Sequence, residues 1–165
     1  MKFVLLILIV ASCSFLGYSI SGYYRKREKF YFDIHSFICS LQLEINFFEN
    51  KLKKIVAEKG QNFGKEFSQV INYFEQFLLS SSKSLQEKDM FAGIWFLSTD
   101  EKQFIFPFFL SLGKFNSSNQ VASLENFKKH FYDCSQNSKK ENEKFGSLIF
   151  KLGILFGILI ALILM

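Results

Sequence analysis

Apolar positions in this chain fall into two long unbroken runs, with a middle section between them in which apolar residues recur every three or four positions. From Phe3 to Tyr24, 22 residues, nothing is charged. That is about 33 Å of helix, enough to cross a hydrocarbon core of about 30 Å. From Phe145 to Met165 only Lys151 is charged. Leu152–Met165 alone makes about 21 Å and is too short, so the second span is counted from Phe145, with Lys151 snorkelling to the headgroups. The expected fold is all-α: a helical bundle in residues 25–144, between an N-terminal transmembrane anchor in 1–24 and a C-terminal transmembrane helix in 145–165.

The middle reads as a series of amphipathic helices. Ile34, Ile38, Leu41, Ile45, Phe48, Leu52 and Ile55 step by three or four, predicting a helix from about Phe32 to Lys59 that stops at Gly60. Phe67, Val70, Ile71, Phe74 and Phe77 or Leu78 mark a second helix, closed by the polar run 80–84. A short third element covers 87–97. Ser98-Thr99-Asp100 offers a cap for a fourth helix, with Thr99 as the capping residue. Pro107 is expected to kink or shorten that helix, which ends at Leu112-Gly113. Asn116-Ser117-Ser118-Asn119 predicts a turn. A last helix, carrying Leu124, Phe127, Phe131 and Cys134, runs through Lys144 into the second apolar run.

Charge sharpens this picture. The formal net charge is +5, but residues 30–144 hold 14 basic and 14 acidic side chains, so the middle is neutral. The excess sits at Arg25, Lys26, Arg27 and Lys29, beside the first apolar run. This is the mark of a cytoplasmic membrane boundary and places the middle domain in the cytoplasm, with both ends across the membrane. A nucleic-acid partner would call for a basic face, and none is present. The abundance of Phe, 23 residues, reads as coding bias and not as a functional signal.

Chemistry is sparse. There is no phosphate-binding G-x-x-x-x-G-K, no H-E-x-x-H and no C-x-x-C, so no enzyme, cofactor, metal or small-molecule substrate is expected. Asp100-Glu101 reads as stabilisation of a helix first turn, and His35 and His130 as surface or interfacial residues. Val10-Ala11-Ser12-Cys13 resembles a lipoprotein processing box. Eleven uncharged residues follow Cys13, however, so an uncleaved anchor with a lipid-buried Cys13 is the expectation.

Ser40-Leu41-Gln42-Leu43-Glu44-Ile45 and Lys151-Leu152-Gly153-Ile154-Leu155-Phe156-Gly157, together with Leu112-Gly113 and the two apolar runs, resemble the stage III sporulation protein AB family of endospore formers. The resemblance implies a place in the channel complex joining mother cell and forespore. It also implies a helical domain similar to that of type II secretion inner-membrane platform proteins, and an ATPase-like partner, stage III sporulation protein AA. A platform role in a type II secretion or pilus system outside sporulation is the alternative. Pro107 and the density of Phe depart from the family pattern.

Two sets of residues are candidates for contacts. Glu44 lies at the border of the first amphipathic face, where it pairs with a lysine of a neighbouring helix, meets a basic partner or stands as a solvated edge. Ser14, Gly17 and Ser21 share one face of the first apolar run, and Gly146, Gly153 and Gly157 share one face of the second. Small residues so spaced let helices approach closely in lipid.

Overall fold

Helix α1 runs from Lys2 to Phe48 without a break. The expected boundary near Tyr24 and fresh start near Phe32 are absent from the backbone. No Gly or Pro lies between Gly22 and Gly60, so only the kind of side chain changes there, not the helical geometry. The computed structural model describes residues 2–48, 52, 56, 58, 62–80, 84–112 and 117–164. The expected stop at Gly60 and most of the run 80–84 lie outside them, as do the side chains of Ile45, Phe48 and Ile55.

The remaining helices are α2 (Lys65–Leu79), the short α3 (Glu87–Met90), α4 (Thr99–Leu112), α5 (Ser117–Glu141), one π-helical turn (Asn142–Gly146) and α6 (Ser147–Leu164). Among the described residues there is no strand. The chain is all-α, with a long apolar helix at each end. Both are long and apolar enough to cross a membrane.

Local signals explain most ends and correct three expectations. Helix α4 is capped one residue earlier than the pattern suggested. The Ser98 N–H donates to Glu101 Oε2 (2.8 Å) and the Glu101 N–H to Ser98 Oγ (3.2 Å), a reciprocal capping box. Pro107 does not shorten α4, which continues to Leu112. The expected turn at 116–119 is helical from Ser117 onward, in keeping with the preference of serine for helix starts. The third element is helical only over Glu87–Met90; it then turns through Gly93, whose φ of 78° favours glycine.

The chain divides into two units, Lys29–Ser135 and Met1–Glu28 with Gln136–Met165. In the first, Ile34, Ile38 and Leu41 of α1 are fully buried, as the spacing predicts, with Phe67, Val70, Ile71 and Phe74 of α2 and Ile105, Phe108 and Phe109 of α4. Phenylalanine builds this core edge to face. Phe67 meets Phe30, Phe37 and Phe63 at centroid distances of 5.5, 5.7 and 5.2 Å, and Phe108 meets Phe127 and Phe131 at 5.3 and 5.7 Å. These rings are therefore structural.

One buried charge organises the same unit. Asp33 is 2% exposed, accepts a hydrogen bond from Lys29 Nζ (2.8 Å) and another from the Gly64 backbone N–H (2.9 Å). Gly64 is the N-cap of α2, so the carboxylate ties the start of that helix to α1. A Cβ at residue 64 would stand 2.9 Å from Asp33 Oδ2, which explains the glycine.

Candidate functional site

In the unit formed by the chain ends, the two apolar helices lie backbone against backbone at three glycines. A Cβ placed on Gly17 would come within 3.2 Å of the Ile149 carbonyl oxygen and 3.3 Å of Gly153 Cα. One on Gly153 would come within 3.0 Å of the Cys13 carbonyl oxygen and 3.1 Å of Gly17 Cα. One on Gly157 would stand 3.1 Å from Val10 Cα and 3.2 Å from Cys13 Cβ. Most of these neighbours are main-chain atoms, which cannot swing aside as a side chain does. With hydrogen in place of a side chain, the helices approach closely enough for dispersion to act along the whole seam.

The other small residues have different places. Ser14 is half-buried, and its hydroxyl donates to the Val10 carbonyl (2.8 Å) within its own helix. Gly146 lies in the π turn, where Asn142 Oδ1 fills the space that a Cβ would need and Ser21 Oγ is 3.9 Å from that point. Ser21 is buried, at 7% exposure. Val10 and Cys13 belong to the seam but were not among the candidates. Their spacing to Gly17, three and then four residues, is the helical repeat that marks them.

Where charge begins, polar contacts join the same two segments. Arg27 pairs with Glu141, and Asn142 Nδ2 donates to Glu28 Oε2 at 2.6 Å. Tyr24 packs on Phe145 (5.9 Å between centroids) and Tyr18 on Phe150 (6.4 Å). Aromatic rings with one wet edge suit a membrane boundary. The arrangement is a close glycine-lined seam with a polar collar at one end.

Glu44 lies in the last turn of α1, and its side chain is outside the described residues. Two residues before it, Gln42 Nε2 donates to Glu125 Oε2 (2.5 Å), and Lys128 Nζ donates to Gln42 Oε1 (3.0 Å). This polar link from α1 to α5 gave no signal in the sequence. His35 packs on Tyr132 of α5 (5.4 Å between centroids). Its pKa is lowered, first by burial and then by the nearby Lys128 charge, which favours the neutral imidazole. His130 stacks on Phe104 at 4.0 Å. Among the described residues no group of three or more His, Cys, Asp or Glu is placed to hold a metal ion.

Comparison with curated proteins and with solved structures gave no match. The family model described as stage III sporulation protein AB matches residues 2–165, nearly the whole chain and both apolar helices. The chain belongs to the stage III sporulation protein AB family.

Proposed function

We propose that the chain is a non-enzymatic, membrane-anchored structural component of the channel complex between mother cell and forespore. In this reading the seam of α1 and α6 sits in the mother-cell membrane around the forespore. The helical domain stands in the mother-cell cytoplasm and docks an ATPase-like partner of the stage III sporulation protein AA type. The observation that carries the reading is the family match over residues 2–165. The side of the membrane rests on the basic residues that flank both apolar helices, Arg25, Lys26, Arg27 and Lys29 on one and Lys139, Lys140 and Lys144 on the other. A neutral domain with no nucleotide-binding motif takes its energy from elsewhere, which is the reason to assign it an ATPase-like partner.

The test uses the full chain in a spore-forming host. Deleting the gene is expected to block sporulation, and the tagged chain is expected to co-purify the ATPase-like protein from sporulating cells. Glu44→Lys reverses one charge at the rim of the first amphipathic face. It is expected to reduce co-purification while helicity and melting are retained. Normal spore yield in the deletion strain, or no ATPase-like protein on the wild-type chain, would overturn the reading.

A further inference from the structure

A pocket of about 420 Å³ opens beside the polar collar, lined by Tyr18, Ser21, Arg25, Asn142, Glu143, Gly146, Ser147 and Phe150. We infer that this pocket binds the phosphate headgroup of one anionic phospholipid. The inference rests on the membrane placement given above.

Three observations point to such a ligand. The first is Ser21. Along the same helix, Ser12, Ser14 and Ser19 each donate to the carbonyl four residues back, at 2.8, 2.8 and 2.9 Å. Ser21 is 7% exposed, faces the pocket, and makes no such bond among the described residues. Its hydroxyl is open to the pocket rather than sealed in the core, and is free to donate to a phosphate oxygen there.

The second is charge. Arg25 is exposed, lies over the Tyr18 ring at 5.3 Å, and has no carboxylate partner among the described residues. Two of the acids nearby are engaged, Glu28 by Asn142 and Glu141 by Arg27, while Glu143 lines the pocket and lies 4.0 Å from Lys139 Nζ. A guanidinium left free beside a hydroxyl is suited to a phosphate, which it can grip with two N–H groups.

The third is position and shape. The pocket lies where the uncharged run ends at Tyr24 and the basic cluster begins, the depth of headgroups on the side carrying Arg25–Lys29. Its floor is the π turn, which is absent from the rest of α5 and α6. Gly146 keeps that floor open, because a Cβ there would meet Asn142 and approach Ser21. Tyr18 and Phe150 supply an apolar wall toward the membrane, along which the acyl chains would lie.

The test counts lipids retained by the full chain. The purified protein in mild detergent is offered phosphatidylglycerol or phosphatidylcholine of the same chain length, and adducts are read by native mass spectrometry. One phosphatidylglycerol is expected to be held in preference to phosphatidylcholine. Arg25→Gln should weaken that binding about tenfold or more, the effect of losing a hydrogen bond to a charged group. Ser21→Val, which fills the pocket, should weaken it similarly, and Lys140→Gln, outside the pocket, should not. Soluble glycerol 3-phosphate should not displace the lipid. Equal retention of the two lipids, or equal weakening by Lys140→Gln and Arg25→Gln, would overturn the site. Displacement by glycerol 3-phosphate would assign it to a free phosphate instead. Each variant is also floated with vesicles. A wild-type chain that does not float contradicts the membrane placement and the site together; one that floats without lipid preference contradicts the site alone.

Discussion

Gly153→Ile with Gly157→Ile is expected to part the two apolar helices while leaving both inserted. The substitution keeps α6 apolar, so the free energy of entering lipid changes little and in the favourable direction. What it changes is distance. A Cβ at 153 stands 3.0 Å from the Cys13 carbonyl oxygen and 3.1 Å from Gly17 Cα, and one at 157 stands 3.1 Å from Val10 Cα. Isoleucine adds three further carbons at each position against backbone that has no rotamer to change. No hydrophobic force between the helices opposes their separation, because lipid tails are as apolar as the side chains. Crosslinking between the two helices is expected to fall several-fold, and spore yield with it. Leu155→Ile and Leu159→Ile, on residues 61% and 53% exposed, change shape away from the seam and are expected to preserve both. Equal crosslinking in the glycine variant and the leucine controls would mean that the glycines play no part in the contact.

Phe67→Ala is expected to destabilise the helical domain strongly. Phe67 is 1% exposed and meets three other phenylalanines, on α1 and ahead of α2. Truncating such a residue costs about 3–5 kcal/mol, against a typical total of about 5–15 kcal/mol. The loss should appear as a lower melting temperature of the full chain in detergent, followed by circular dichroism. Leu79→Ala, on a residue 65% exposed, is expected to stay within about 0.5 kcal/mol of the parent. Similar melting of the two variants would show that the phenylalanine cluster is not the core.

These effects differ in how far the sequence announced them. Helix faces such as Ile34–Ile38–Leu41 and Phe67–Val70–Ile71–Phe74 were legible, because burial on a helix repeats every three or four residues and the apolar residues carry that period. The continuity of α1 was not. A change from apolar to basic residues at Arg25 looks like an element boundary, although no residue there resists helical geometry. Asp33 was passed over for another reason. An aspartate between apolar residues reads as a surface charge until its remote partner, the Gly64 N–H, is in place. The same holds for Gln42, Glu125 and Lys128, whose meeting depends on how α1 and α5 cross. Glycine and serine spacing suggested a contact face on each apolar run. It was silent on Val10 and Cys13, and on the π turn that sets Gly146 apart from Gly153 and Gly157.

The most direct test of the central claim, that the ends of the chain form one helical pair within a single molecule, uses a thiol already present. A Cβ at residue 157 would lie 3.2 Å from Cys13 Cβ, slightly inside the 3.5–4.5 Å usual for a disulfide. In a chain carrying Cys39→Ser and Cys134→Ser, Gly157→Cys therefore needs only a small shift to bond with Cys13. Membranes holding this variant are oxidised, and free thiols are then counted with a maleimide mass tag on a non-reducing gel. Monomers that take up no tag until they are reduced are expected. Two tags per chain after oxidation, or disulfide-linked dimers in place of closed monomers, would contradict the claim.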